Sequence, residues 1–511
     1  MIEAIMASSP DFLLRHAPIL LVITPLVLAG ISSFMPNGRL AWCLSILATA
    51  ASTICALVLL GEVQTTPGGV VSYALGGWAP PIGIEFRVDA LNILFLLLIT
   101  IIGFLAAIFS WPTVAAEVRQ EKRALFYAAY LICFTGLSGV AITGDAFNLF
   151  VFLEISSIAT YVLVALGGNR DRRAFPAAFN YLIMGTIGAT FFVIGVGFLY
   201  AATGTLNMAD IADKLAQSGS SRTAQAAFAF IVVGLGIKAA AWPLHLWLPN
   251  AYAYAPSFVT MFLSATATKV AIYALVRFAF TVFSANIFDP GTDFVFLFGP
   301  LAMIAMLACS FQAIFQSDVR RMLAYSSVAQ VGYILLGVSV GTAAGLSAGL
   351  FHLVSHALLK GALFMAVAGI VLTYQGTRIS DFAGLGRAAP LTMTAFAIAG
   401  FSLIGMPLTA GFQSKWLLLQ AMLDQGWGFA AAVIVAASIL AVIYVGRVLQ
   451  AVFFQPPANP RKVRQEAPLI LLIPLWIMTL ATLWFGIQSG TVLALTNEAA
   501  NAAIPMIEGQ P

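Results

Sequence analysis

The stretch GLGIKAAAWPLHLW, residues 234–247, sets a single lysine, Lys238, inside an apolar run and a proline, Pro243, five residues later. What these two residues mean depends on what surrounds the run. On both sides, apolar segments of about 20 residues recur from end to end, the length a helix needs to cross a bilayer. Over 511 residues the chain is 61% hydrophobic and only 9% charged, with a mean hydropathy of +0.97. A soluble globule of this size requires far more surface charge. The sequence therefore predicts an all-α, polytopic membrane protein of about 14 transmembrane helices.

The spans are predicted near 17–35, 40–61, 89–110, 125–143, 146–167, 177–203, 224–247, 256–282, 294–315, 321–341, 345–373, 390–422, 427–455 and 467–488. Between the second and third, GGWAPPIGIEFRVD (76–89) reads as an extramembrane hairpin, because Gly and Pro punctuate alternating residues. LNMADIADKLAQ (206–217) has the pattern of a short amphipathic surface helix. The opening MIEAIMASSPDFLLRH lacks a basic start followed by a short apolar core, so the first span is expected to serve as its own insertion signal.

Loop charges predict the orientation. The loops sharing a side with both termini hold Arg15, Arg87, Lys214 and Arg222. The opposite loops hold Arg39, Arg119, Lys122, Arg123, Arg170, Arg172, Arg173, Arg320, Arg321, Arg378, Arg387, Arg461, Lys462 and Arg464. The second side is expected to be cytoplasmic, in a cell (inner) membrane, with both termini outside. Of the remaining basic residues, Arg277 and Arg447 lie toward helix ends and are expected to snorkel.

Several functions are excluded. Cys43, Cys55, Cys133 and Cys309 are scattered through apolar segments without metal spacing, so no iron–sulfur, haem or zinc site is expected. There is no phosphate-binding loop, no dinucleotide fingerprint and no basic tract for nucleic acid. No cofactor is expected, and the chain carries no redox site of its own.

What remains is a set of charges inside the membrane: Lys238, Lys269, Lys360 and Lys415, with one deep carboxylate, Glu154. A mid-helix lysine costs about 2.5–3.5 kcal/mol on insertion scales, so four cost on the order of 10, and such groups normally face a bundle interior or a water-filled cavity. Glu154 needs a partner, and Lys238 is the natural one. In FHLVSHALLKGALF (351–364), His352, His356 and Lys360 recur at i, i+4 and i+8, one stripe of one helix. Polar residues of a stripe can simply bond neighbouring helices. Three titratable groups aligned in a chain with other buried lysines favour a proton relay instead.

The opening stretch has a counterpart in GMPLTAGFQSKWLLL (405–419), with Pro407, Gly411 and Lys415. Each is an apolar span interrupted by Pro or Gly beside a lysine. A packing kink with a chance lysine is the plainer account. Paired interruptions in two halves, however, mark a repeated transporter architecture with the ion site at the breaks. A broken helix survives in a bilayer only where its freed backbone groups meet protein or water. Lysine and proline thus belong together: the break admits water, and the lysine exchanges protons with it. His245, Asp145 and Tyr325 stand as accessory candidates, although Asp145 also fits a simple helix cap.

At these residues the sequence resembles the antiporter-like proton-translocating membrane subunits. These include the A and D subunits of Mrp-type sodium/proton antiporters, the large membrane-arm subunits of complex I, and relatives in membrane-bound hydrogenases. The resemblance spans roughly 85–455 and rests on FNLFVFLE, GTLNMADI, the Lys238 segment with WPLHLWLP, SDVRRMLAYSSVAQVGY (317–333) and FHLVSHALLKGALF. FNLFVFLE and TGTLNMADI are most similar to the D subunits of the Mrp type. WLPNAYAYAP (247–256) departs from complex I members, which often carry an acid and a histidine just after WLP; GFQSKW resembles those that keep lysine there.

The resemblance implies two inverted five-helix repeats, each with a broken helix. The chain then divides into N-terminal spans with the hairpin (1–124), a first repeat (125–283), a second repeat (284–455) and a C-terminal span and tail (456–511). It implies Glu154 and Lys238 as a switching pair, Lys269, His352, His356 and Lys360 as a central relay, and Lys415 as the exit. The expected function is proton translocation within a multi-subunit sodium/proton antiporter. The alternative is a proton-pumping subunit of a redox complex of the NADH–quinone or hydrogenase type. Other membrane subunits of such a complex are the expected partners. No carboxylate cluster suited to a hard cation lies in the spans, so any sodium path is expected in a partner subunit.

Overall fold

Inside hydrocarbon, backbone groups have to be satisfied within the chain, and an apolar run does this locally only as a helix. In the computed structural model, which describes residues 2–219, 221–283, 293–456 and 465–504, the apolar runs all wind into helices. The first part comprises α1 (Ile2–Ser33), α2 (Gly38–Thr65), α3 (Ala90–Glu117), α4 (Arg123–Ile142), α5 (Ala146–Ala165), α6 (Ala174–Thr203), the surface helix α7 (Met208–Ser218) and α8 (Arg222–Lys238). Then come α9 (Leu248–Tyr254), α10 (Ser257–Ala265), α11 (Ala267–Val276), α12 (Asp293–Ile314), α13 (Val319–Ser339) and α14 (Ala343–Tyr374). The chain continues through α15 (Pro390–Ile404), α16 (Ala410–Asp424), α17 (Gly428–Phe454), α18 (Leu469–Ile487) and α19 (Gly490–Ala503). Among the described residues, 12 segments are long and apolar enough to cross a membrane. The interrupted pairs α8–α9 and α15–α16 add two more, giving the expected number.

The helices divide into a buried centre and a rim. Nearly every residue of α10–α11 and α13 is buried, and most of α14, whereas only about a third of the membrane stretch of α1 is. α14 contacts α10, α13, α15, α16, α18 and α19 and is the hub of the bundle. A central helix bearing His352, His356 and Lys360 thus has no lipid-facing side to which they could turn.

Both expected breaks are present. α8 stops at Lys238, and the chain runs through turns to Leu248. Within this segment Ala240 adopts φ +55, a left-handed conformation that alanine takes only where its surroundings hold it. The Trp247 indole donates to the Ile237 carbonyl at 3.0 Å, beside the Ala240 N–H at 3.1 Å, and so ties the broken segment back to the end of α8. α15 stops at Gly405 (φ +93), and Thr409 caps α16 by accepting the Phe412 N–H. The hydroxyl of Ser402 accepts the Gly411 N–H across this break at 3.1 Å.

Three expectations are corrected. The span predicted as continuous over 256–282 is interrupted at Thr266, between α10 and α11, and ends in a π-helical turn over Arg277–Val282. Thr266 sends both its N–H (3.1 Å) and its hydroxyl (2.7 Å) to the Phe262 carbonyl, and neither Pro nor Gly stands beside the break. Arg277 does not snorkel. It is buried in a two-pronged ion pair with Asp89, both contacts at 2.7 Å, because a fixed carboxylate at the cap of α3 outcompetes solvent. The hairpin begins earlier than predicted: β1 (Val71–Ala74) pairs antiparallel with β2 (Glu85–Val88) in the register Val71↔Val88. Arg461, Lys462 and Arg464 lie outside the described residues.

The hairpin is tied to the bundle by Glu85, which is buried and accepts from Ser72 at 2.6 Å and from Asn207, the N-cap of α7, at 2.9 Å. Hairpin, α7, Asp145 and Arg277 therefore share one face, the hairpin face. Arg119, Arg170, Arg320 and Arg378 mark the opposite, arginine-rich face.

Candidate functional site

The sequence names a partner for Lys238, Glu154, but none for Lys269, Lys360 or Lys415. The α4–α5 turn and the first break position that pair. Asp145 caps α5 by accepting the Asn148 N–H at 2.7 Å. Burial pushes the Asp145 carboxyl above its ordinary pKa, against the opposing effect of the Asn148 and Phe147 N–H groups. From this cap α5 carries Glu154 to the Lys238 ammonium, which stands at the very end of α8. The ion pair measures 3.4 Å, and Lys238 also donates to the Ser157 hydroxyl at 2.6 Å. Lys238 is buried and Glu154 a quarter exposed, so the pair sits at the edge of the bundle rather than in its middle.

Lys269 begins the first turn of α11, just past the break at Thr266. It is fully buried, donates to the Ser264 carbonyl and approaches the Thr268 hydroxyl at 3.5 Å. The carbonyl it binds is one that the break leaves without a helical donor. Lys360, on α14, donates to the Leu323 carbonyl at 2.7 Å and to the Ser326 hydroxyl, both on α13. Among the described residues neither ring nitrogen of His356 meets a protein partner.

One turn back on α14, His352 is held at both nitrogens: Nδ1 lies 2.8 Å from the Ser414 hydroxyl and Nε2 3.0 Å from the Gln330 side-chain oxygen. Ser414 precedes Lys415 on α16. Lys415 donates to the carbonyls of Leu403 (3.0 Å) and Ile404 (2.9 Å) at the end of α15, and to the Ser438 hydroxyl at 3.0 Å. Its ammonium also lies 4.9 Å from the centre of the Tyr333 ring, a cation–π contact. The Tyr333 hydroxyl is 3.1 Å from Ser438, and its ring lies 5.2 Å from that of His352.

The structure thus brings Glu154 to Lys238 and links His352 to Lys415 through Ser414 and Tyr333. Among the described residues, no side-chain hydrogen bond joins the Glu154–Lys238 pair to Lys269, or Lys269 to Lys360. His245 stands apart, 3.9 Å from the Cys309 sulfur, and Tyr325 takes no part in these bonds. Sequence reasoning passed over Ser157, Ser326, Gln330, Tyr333, Ser414 and Ser438. A signal for three of them was present: Ser326, Gln330 and Tyr333 follow the spacing of one face of α13. Among the described residues no group of His, Cys, Asp and Glu is arranged to hold a metal ion.

Residues 143–441 match the family described as NADH:quinone oxidoreductase/Mrp antiporter, transmembrane, and residues 79–112 match the N-terminal family of NADH-ubiquinone oxidoreductase (complex I) chain 5. The chain belongs to the first of these families. It is 40% identical over 499 residues to NADH-quinone oxidoreductase subunit N of Desulforudis audaxviator (strain MP104C), covering 94% of this chain and 97% of that one. It is 32% identical to the D subunit of the Na(+)/H(+) antiporter of Bacillus subtilis (strain 168), covering 95% and 97%. In three dimensions it superposes on a chain of the membrane-bound sulfane sulfur reductase, an archaeal respiratory membrane complex, with a TM-score of 0.86 at 31% identity, covering 95% and 97%. Family members of this kind work as membrane subunits of larger assemblies, and the matched residues 143–441 include every residue of the site described above.

Proposed function

We propose that the chain translocates protons within a multi-subunit monovalent cation/proton antiporter. Four buried lysines, each bonded to hydroxyl or carbonyl oxygens and only one of them to a carboxylate, carry this reading. A lysine beside an ionised carboxylate keeps its proton; once the carboxylate moves away, burial favours the neutral amine and the proton moves on. Lys238 is poised for this, because Glu154 approaches it at a looser 3.4 Å while Ser157 holds it at 2.6 Å. The proton then passes by water to Lys269, along His356, Lys360 and His352, and to Lys415 at the second break. The two breaks fall one in each of the proposed repeats, 125–283 and 284–455. On loop charge the arginine-rich face is cytoplasmic and both termini lie outside.

Likeness to the D subunit of an antiporter over nearly the whole chain supports the antiporter. A second reading, a proton pump driven by electron transfer in partner subunits, is favoured by the higher identity to an NADH-quinone oxidoreductase subunit. Vesicles containing the whole complex separate the two. An antiporter acidifies or alkalinises the lumen on a sodium pulse without any electron donor. A redox pump does so only when donor and acceptor are supplied.

A further inference from the structure

The proposed relay runs sideways through the bundle and leaves one polar feature at the hairpin face unused. α11 and the turn that follows it place Lys269, Tyr273 and Arg277 at i, i+4 and i+8, a single stripe with about 6 Å of rise per step. Arg277 Nε donates to the Tyr273 hydroxyl at 3.2 Å, and both guanidinium nitrogens beyond it are engaged by Asp89 at 2.7 Å. Beyond this pair lies a cavity of ≈330 Å³ lined by Arg87, Asp89, Asn92, Gly144 and Arg277, with the exposed Gly68 at its rim. The ion pair therefore separates a cavity at the hairpin face from Tyr273, whose backbone lies one turn of helix from that of the buried Lys269.

A bond serving only to staple α3 to α11 needs neither the cavity on one side nor the tyrosine on the other. Burying an ion pair gains little stability by itself. The chain also abandons α-helical winding at this point, since Arg277–Val282 is π-helical, a geometry that recurs at functional sites.

We propose that Asp89 and Arg277 form a gate that closes a second water path, from Lys269 to the hairpin face. This rests on the assignment of Lys269 to the relay. With the pair closed, the fixed guanidinium charge repels any proton approaching from the cavity. With Arg277 swung toward the cavity, the Lys269 ammonium loses one proton, Tyr273 and water pass it, and the Asp89 carboxylate takes it up before releasing it to the cavity. Lys269 ends neutral, and no other bond changes.

The test uses the native complex in vesicles with an imposed pH gradient and no sodium or electron donor. Arg277→Gln is expected to raise passive proton leak severalfold, and adding Tyr273→Phe or Lys269→Ala to it is expected to remove most of the increase. Arg277→Lys, which keeps the charge but loses the two-pronged grip, is expected to leak to an intermediate degree and covers the case in which Arg277→Gln does not assemble. An assembled Arg277→Gln or Arg277→Lys complex that holds the gradient like the wild type overturns the gate, as does a leak undiminished by Lys269→Ala. Lys269→Ala alone separates the two levels. Full coupled transport in that variant removes Lys269 from the relay, whereas lost transport together with no leak in the Arg277 variants removes only the gate.

Discussion

Glu117, the last residue of α3, caps α10 from 140 positions away: its carboxylate accepts the Ser257 N–H at 2.6 Å and the Ser257 hydroxyl at 2.5 Å. The same carboxylate receives Arg170 at 3.1 Å and lies 3.7 Å from Arg320, which itself donates to Ser257 at 2.5 Å and to the Ala255 carbonyl at 3.2 Å. Four segments meet there, and two of them lead directly to lysines of the site: α10 to Lys269 and α13 to the partners of Lys360.

Glu117→Ala leaves the Arg320 guanidinium buried without its counter-charge. Removing one partner of a buried pair costs about 3–5 kcal/mol, so the purified complex should melt at a clearly lower temperature and yield less assembled protein. Glu117→Gln, which retains an acceptor for Ser257, should recover part of the loss. Equal melting of wild type and the alanine variant would refute the clasp.

Glu154→Ala and Lys238→Ala should each abolish coupled transport in vesicles while the complex still assembles. The pair stands at the bundle edge, where its loss opens no large cavity in the core. Full-rate transport in either variant ends the switching role.

Ser326→Ala removes a hydroxyl that accepts from Lys360 but leaves the Leu323 carbonyl in place. A net hydrogen bond of about 1–1.5 kcal/mol corresponds to roughly a tenfold fall in rate. Transport assays across the Ser326→Ala and Ser326→Thr pair should show the loss and its recovery.

Asp89 supplies a stability signature in acid. Burial by itself would raise its pKa, but Arg277 beside it, with the Asn92 N–H, holds the carboxyl below the ordinary range. Its folded-state pKa is thus depressed, so the stabilisation is fully present above the unfolded value of about 3.9 and is lost as pH falls through the folded value. The acid limb of the melting curve should flatten in Asp89→Asn, whose stability at neutral pH should already be lower.

Close packing of α6 on α8 depends on Gly188 and Gly234. A Cβ at Gly234 would lie 2.6 Å from the Gly188 carbonyl oxygen and 2.7 Å from the Phe192 backbone nitrogen. Gly234→Val should therefore force the helices apart and displace Lys238 one turn away. Blue-native electrophoresis should show lost or destabilised assembly.

Much of this architecture was legible because its signals are chemical and local. Apolar length gave the spans, and a lysine beside Pro243 or Gly411 gave both breaks. The i, i+4, i+8 spacing gave the stripe on α14. The third break left no such mark: it falls at Thr266 with neither proline nor glycine beside it, and threonine is found throughout ordinary membrane helices. The partners of Lys360 and Lys415 were hidden for another reason. They are backbone carbonyls, which every residue has, and serines that only tertiary packing selects. Arg277 was misread because its counter-charge, Asp89, lies 188 positions away, at the end of the hairpin stretch.

Lys415 is held by two peptide oxygens at the end of α15 and has no acidic counterpart among its bonds. The end of a severed helix thus plays the part of an anion that can never be neutralised by protonation. When the ammonium gives up its proton, the amine keeps two N–H groups for three acceptors, so one of its bonds to Leu403, Ile404 and Ser438 has to be released. Where the released acceptor is a peptide oxygen, the loose end of α15 has to find another donor or shift, so a probe attached near Gly405 should register charge movement even though no acid there changes its state.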